Sequence, residues 1–319
     1  MNFLPLRVQK PQLVGKIREK VSNGLSKGSR INYGKYWSKF VDFCHINGYS
    51  AMPASVDAVL DFMLELEGKY AVSTVASILS VISFAHKINL ACDPTNNFLV
   101  HRVKLGLFGK CQLGSNEQDE TKRLPITYNI LNGFLCVLDK FTTSYQAVLF
   151  KAILALGYWG CLRICELVKT PTTEHAILRE NTHILVKNGT LWGLEVILRS
   201  SKSSKKPETL FFQIHKNLNC CIANAMWNYL AIRPNVPGFL FITHSGKLVQ
   251  SVEVTAVIQE CAAKLGLNPS DYNTHSLRIG RTTDLALQGH GEASIKSIGR
   301  WGSNAYMKYV RLQGLDMPV

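Results

Sequence analysis

The sequence is short of acid. Its 319 residues include 22 Asp plus Glu against 36 Lys plus Arg, for a formal charge of +14. It has no apolar run near the ~20 residues that span a bilayer. Its first ten residues contain Pro5, Arg7 and Lys10 where a secretory signal needs an unbroken apolar stretch. Together these absences weigh against a membrane protein and lead us to expect an intracellular one. No carboxylate cluster suited to Mg²⁺ is present, and no repeat of any period. Paired-cysteine motifs are missing too. Cys161 and Cys165 stand four apart, but no second pair follows at zinc-like spacing. Nine cysteines, an odd number lying mostly in apolar segments, are expected to be free buried thiols.

What is present is enough apolar material, 46% of residues, for real cores, in a chain long enough for two domains. The excess charge suits a polyanion such as nucleic acid or an anionic membrane, and the lack of any spanning segment favours nucleic acid. Residues 1–40 hold nine basic residues against one acid, Glu19, and the excess recurs at 199–206, "RSSKSSKK". Two separated basic regions suggest a long electropositive track.

The first half reads as helices. In "SRINYGKYWSKFVDFCHINGY", Tyr33, Trp37, Phe40, Val41 and Cys44 recur at helical spacing, with Gly48 as a stop. Ser55 is placed to cap a second helix. A third has Val75, Leu79, Ile82 and Ala85 or His86 on one side. Its serines 73, 77, 80 and 83 form a small polar face, fit either for a closely approaching backbone or for helix packing. A fourth is expected over about 96–108. Residues 113–121 lack periodicity and bulky groups and are expected to link an all-helical domain, 1–112, to a second one, 122–319. There, helices are expected at 127–139, 143–158, 217–232, 251–265, 274–288 and 303–311. Between them, "KNGT" signals a β-hairpin, and a second loop covers Ser200–Pro207. The expected fold is mainly α with a small antiparallel β-sheet.

In "NTHSLRIGRTTD", His275, Arg278 and Arg281 fall at three-residue steps, stacking three cations along one helix side. Such a stripe either faces water or awaits an anion. Four segments weigh for the anion. "GYWGCLRICELVKT" (Arg163, Glu166), "RSSKSS" (Lys202), "NTHSLRIG" (His275, Arg278) and "GRWGSNAYMKYVR" (Trp301, Tyr309) resemble, in order and spacing, the signature boxes of the tyrosine recombinases, the phage-integrase-like family. The resemblance covers roughly residues 25–312. Details such as G-R-W-x-S-x-A look closest to recombinases of eukaryotic Crypton and DIRS-like mobile elements.

The resemblance implies a helical core-binding domain and a catalytic domain forming a DNA clamp. It implies Arg163, Lys202, His275, Arg278, Trp301 and Tyr309 as catalytic residues, with Glu166 in support. It implies no cofactor and no metal, double-stranded DNA as partner, self-association from dimer to tetramer on DNA, and a nuclear location if the host is eukaryotic. No membrane and no small-molecule substrate are expected as partners. Within it, Lys205 and Lys206 are alternatives to Lys202, and Tyr306 to Tyr309. Arg281 departs from the pattern and is read as facing water or touching a neighbouring phosphate. Arg30, Lys35, Lys39, Lys87 and Lys205 are expected to contact DNA phosphates.

The chemistry explains the residue types. A phosphodiester repels nucleophiles, and charge grows on its non-bridging oxygens as it is attacked. Guanidinium forks meet those oxygens with charged hydrogen bonds. A tyrosine hydroxyl, with an ordinary pKa near 10, needs a proton acceptor, for which His275 serves. A phosphotyrosyl ester conserves the energy of the broken strand, so rejoining needs no ATP. Two other functions use similar residues: a catalytically silent DNA-binding descendant of such an enzyme, and a type IB topoisomerase.

Overall fold

In the computed structural model of the chain, the residues described are 14–113, 123–170, 176–199, 206–214 and 221–311. They divide into two compact units, residues 1–119 and 120–319. The expected linker, 113–121, lies outside the described residues apart from Leu113. Among the described residues no helix is long and apolar enough to cross a membrane.

The first unit is helical: α1 (Val14–Asn23), α2 (Lys27–Ile46), α3 (Val56–Leu66), α4 (Val72–Ile88) and α5 (Phe98–Leu113). Ser26 and Ser55 cap α2 and α3 by accepting the backbone N–H of Ser29 and Ala58, which otherwise have no partner in the first turn. The apolar stripes meet in one core: Trp37, Phe40, Phe43 and Cys44 of α2, Val59, Phe62 and Met63 of α3, and Val75, Ile78, Leu79 and Ile82 of α4. Ser73, Ser77 and Ser80 stay exposed, so among the described residues no helix covers this face of α4. Ser77 and Ser80 donate to the carbonyls one turn back, of Ser73 and Ala76.

His86 is fully buried in that core. Its Nε2 accepts the N–H of Ala54 at 2.9 Å, and its Nδ1 lies 2.8 Å from the carbonyl of Ile82. Both bonds together require the neutral ring with its proton on Nδ1. Burial lowers the His86 pKa, against smaller opposing effects of the Ile82 hydrogen bond and of Asp93. The contribution to stability is therefore complete above the unfolded value near 6.5 and is lost as pH falls through the lower folded value. Each unit of separation is worth about 1.4 kcal/mol. Asp93 acts in a different window. Burial opposes its ionisation, but hydrogen bonds from Ser83, Thr95 and Lys87 hold it at about 2, so its share is lost only as pH falls from about 3.8 through about 2. The free energy of opening of α2–α4, read from amide exchange after correction for the intrinsic rate at each pH, is therefore expected to fall as pH drops below about 6.5 in the wild-type chain, and to show no such step in His86→Asn. A flat wild-type profile would refute the assignment.

The second unit contains α6 (Tyr128–Val137), α7 (Ser144–Trp159), the single turn α8 (Ile164–Leu167), strands β1 (Thr182–Lys187), β2 (Thr190–Leu198) and β3 (Glu208–Gln213), then α9 (Ile222–Ile232), α10 (Ser251–Lys264), α11 (Thr274–Leu287) and α12 (Glu292–Gly299), and a 3₁₀ segment, Asn304–Tyr309. The sheet is antiparallel, in order β1-β2-β3. Asn188 and Gly189 turn β1 into β2 with φ of 51° and 71°, the paired positive values that the Asn-Gly signal implied. Leu194, Val196 and Leu198 of β2 enter the core. Helices α7 and α11 run through it; residues 276–280 and 282–285 of α11 are all buried. Of the three cations expected along one side of α11, Arg278 is therefore buried, Arg281 half-buried and His275 exposed.

Other differences are local. The helix expected over 303–311 is the 3₁₀ segment, which Ser303 caps and Val310 ends in extended backbone. Helix α12 was not anticipated, being only eight residues long. Cys92 and Cys136 are exposed, against expectation, while Cys44, Cys161, Cys221 and Cys261 are buried thiols outside any disulfide.

Candidate active site

The site begins where α7 ends. Gly160 and Cys161 break the helix, Cys161 with a positive φ of 47°, and Arg163 opens α8 as its cap. The Arg-x-x-Glu spacing now has a local cause. Glu166, three residues on, accepts the Arg163 backbone N–H at 2.8 Å, one half of a capping box. The same fully buried carboxylate lies 3.3 Å from the Arg163 guanidinium, whose side chain keeps 20% of its surface open.

Helix α11 supplies the second part. Asn273 caps it by accepting the His275 N–H at 2.8 Å, and Ser276 returns a bond to the Asn273 N–H at 3.2 Å. The "NTHS" stretch thus fixes His275 in the first turn, with Arg278 one turn further and fully buried. Arg278 donates to the carbonyl of Cys161 and, at 2.6 Å, to that of Gly299. Its Nε has no hydrogen-bond partner. Two of five N–H bonds are thereby used and three are left.

The third part follows α12. Trp301 is buried beneath Arg278, the guanidinium carbon 4.2 Å from the ring centroid. The Tyr309 ring, half-buried, lies 5.2 Å from Trp301, 4.9 Å from His275 and 5.5 Å from the Arg278 guanidinium. Its backbone carbonyl accepts from Thr283 of α11 at 3.3 Å. Tyr306, by contrast, is buried with Cys161, Leu285 and Ile295, its ring 6.3 Å from Trp301.

The structure therefore brings Arg163, Glu166, His275, Arg278, Trp301 and Tyr309 together. Two cations that sequence reasoning missed join them. Arg300 bonds Glu166 at 2.9 Å, and Arg311 lies close enough to act on His275. His275 is exposed at one side, and its imidazole lies against the Tyr309 ring, which shields part of it from water. That burial, then the fields of Arg278, Arg163 and Arg311, lower its pKa. The ring is neutral at pH 7 and free to accept a proton. Burial likewise pulls the Arg278 guanidinium below its ordinary range.

Arg281 leaves the group. It is half-buried, and its guanidinium lies over Trp159 at 4.6 Å and Tyr158 at 5.6 Å. Lys202 and Lys205 lie outside the described residues. Lys206 is exposed beside them. In the first unit Lys35 is exposed and Arg30 half-buried. Lys39 is held by the Tyr70 hydroxyl at 2.6 Å, and Lys87 pairs with Asp93 at 3.1 Å. Among the described residues no group of His, Cys, Asp and Glu is arranged to hold a metal ion.

No family model matches the chain, and no curated protein matches it. Solved structures share its fold. A lambda integrase dimer bound to a COC′ core site aligns over 95% of this chain and 77% of its own, with TM-score 0.61 and 11% identity. The XerH site-specific recombinase in a post-cleavage complex with a palindromic difH substrate covers 90% and 75%, with TM-score 0.58 and 14% identity. The Tn1549 transposon integrase in complex with circular intermediate DNA covers 81% of each chain, with TM-score 0.50 and 16% identity.

Proposed function

We propose that this chain is a DNA strand-transfer enzyme of the tyrosine recombinase kind, which cuts and rejoins duplex DNA through a 3′-phosphotyrosyl bond. The observation that carries the proposal is the meeting of Arg163, His275, Arg278 and Tyr309, from three separate stretches of chain, in a fold shared with recombinases solved on DNA. Arg278 lies within the fields of Arg163 and Arg300, which Cys161 and the Glu166 carboxylate offset in part. Such a concentration of cations is costly without an anion, and a phosphodiester supplies it.

In the forward step the Tyr309 oxygen attacks phosphorus, its proton passes to neutral His275, and the bond to the 5′-oxygen breaks. Arg163 and Arg278 meet the non-bridging oxygens. The departing oxygen needs a proton, for which Lys202 is the candidate donor. Arg278 is covered by Trp301 and Tyr309, so phosphate reaches it as the half-buried Tyr309 ring lifts. Reversal by a 5′-hydroxyl of a second duplex exchanges strands. Duplex DNA as partner, self-association on it, origin in a Crypton- or DIRS-like mobile element and nuclear action belong to the same proposal.

The test needs no knowledge of the target. A pool of nicked duplexes, randomised around the nick, is incubated with the full chain. Complexes that survive detergent are then sequenced, and their peptides mapped. The expected result is a DNA phosphate on Tyr309. DNA retained without any covalent adduct would sink the proposal in favour of a silent DNA-binding protein, and an adduct on Tyr306 would refute the assigned nucleophile.

A further inference from the structure

Arg300 sits at the end of α12 in the left-handed region, φ 56° and ψ 48°, where glycine rests without strain and other residues do not. Among the described residues four non-glycines have positive φ: Leu90, Cys161, Asn188 and Arg300. Two of the four meet here, since the Arg300 guanidinium donates to the Cys161 carbonyl at 3.5 Å. It also donates to the Gly160 carbonyl at 2.8 Å and to Glu166 at 2.9 Å. Its Nε stands 3.7 Å from the Glu208 carboxylate, at the start of β3. The side chain is only 5% exposed, too little to reach a bound duplex. Strained backbone at both ends of one contact persists only where the surroundings enforce it, and such places cluster at working sites.

The partners of Arg300 are those of the two arginines already described. Glu166 is shared between Arg163 and Arg300, and the Cys161 carbonyl between Arg278 and Arg300. With Glu166 alone, Arg163 would form a closed ion pair with little net charge to offer a phosphate. A second guanidinium on the same carboxylate restores the positive field and leaves Arg163 most of its N–H groups.

We infer that Arg300 is a positioning residue. By sharing Glu166 with Arg163 and the Cys161 carbonyl with Arg278, it sets the separation of the two phosphate-gripping arginines and frees Arg163 to engage the substrate. The role rests on the strand-transfer reading for its chemistry, but the geometry it imposes can be probed with phosphate alone.

Wild type, Arg300→Lys, Arg300→Gly, Glu166→Gln and the Arg300→Gly/Glu166→Gln double variant are compared in two ways. The first is single-turnover cleavage of the nicked duplex recovered from the pool, with DNA affinity measured separately. The second is calorimetric binding of inorganic phosphate. Arg300→Gly suits the left-handed backbone, Arg300→Lys retains the charge, and melting curves report whether each is folded. Arg300→Gly is expected to bind DNA within about threefold of wild type yet cleave about 100-fold more slowly, the scale on which a misplacement of about 1 Å acts. Arg300→Lys, lacking the fork, is expected to recover less than about a tenth of the loss. Phosphate affinity is expected to fall about tenfold in both. With Gln at 166 the shared carboxylate is gone and only the shared Cys161 carbonyl remains, so removing Arg300 is expected to cost clearly less than in the wild-type background, about tenfold or less in cleavage. Equal losses in both backgrounds, or cleavage by Arg300→Gly within threefold of wild type, would overturn the inference. A wild-type chain that forms no adduct at all defeats the strand-transfer reading instead. In that event phosphate binding decides alone: the same affinity in wild type and Arg300→Gly, or none in wild type, overturns the positioning role.

Discussion

Tyr309→Phe is expected to abolish the covalent adduct, lowering its rate of formation by about 10⁴-fold or more, the scale seen when a nucleophile is deleted from a site whose other parts remain. The loss should be confined to chemistry. Phenylalanine keeps the ring that packs against His275 and Trp301 and lies near the Arg278 guanidinium, so melting temperature and DNA affinity should stay close to wild type. Tyr306→Phe is the matched control. Its ring belongs to the buried cluster around Trp301, and the adduct should form within a few-fold of the wild-type rate. The wild-type pH profile adds a second check. His275 accepts a proton only when neutral, and burial with three neighbouring arginines lowers its pKa. The cleavage rate should be level above pH 7 and fall only in acid, below about 6.5. His275→Gln should be slow at every pH and lack that acid limb. An adduct that forms at an undiminished rate in Tyr309→Phe would remove the phenol from the mechanism.

Much of this arrangement was legible in the order of short motifs. Arg163 with Glu166 and His275 with Arg278 each reflect a local rule, a helix cap and one helical turn, while Tyr309 follows Trp301 at the end of a 3₁₀ segment where a helix was expected. What the sequence concealed depends on contacts between distant stretches. Arg278 and Arg281 lie on the same helix three residues apart, yet one is fully buried on two carbonyls and the other stacks on Trp159. Periodicity could not separate them, because α11 is surrounded and has no simple outer face. Its polar side chains are satisfied inside: Thr282 donates to the Arg278 carbonyl at 2.7 Å, and Asp284 accepts from Tyr158 and from the Tyr128 N–H. Arg300 was hidden for a different reason. Helical spacing says nothing about a residue just past a helix end, and only the left-handed turn there sends its side chain inward. The sheet was easier to read, since Asn-Gly dictates a turn without help from the rest of the chain.

The largest expected effect on folding comes from a glycine. Gly280 lies midway along α11, where alanine would ordinarily raise helix stability by about 1 kcal/mol. Here a Cβ would fall 1.7 Å from the carbonyl oxygen of Ile126, 2.2 Å from its carbon and 2.9 Å from its nitrogen. All three obstacles are backbone, so no side-chain rotation relieves them. Nor is the segment free to retreat, because the Ile126 N–H donates to the Ser276 carbonyl at 2.9 Å and the Leu124 N–H to that of Asp271 at 2.9 Å. Gly280→Ala must therefore part α11 from residues 124–126, at a cost of about 3 kcal/mol or more, with a fall of about 6–12 °C in the melting temperature of the second unit. Gly34 in α2, with nothing within 4 Å of its Cβ position, is the control, and Gly34→Ala should leave the first unit as stable or more so. Gly299 is the intermediate case. Its Cβ would meet the Trp301 ring at 1.5 Å, a side chain that can move, so Gly299→Ala should displace the ring beneath Arg278 before it unfolds the domain. A Gly280→Ala protein melting within 2 °C of wild type would mean that α11 is not clamped by the 124–126 segment. It would remove the physical reason for His275 and Arg278, both carried by that helix, to hold their places opposite Arg163 and Tyr309.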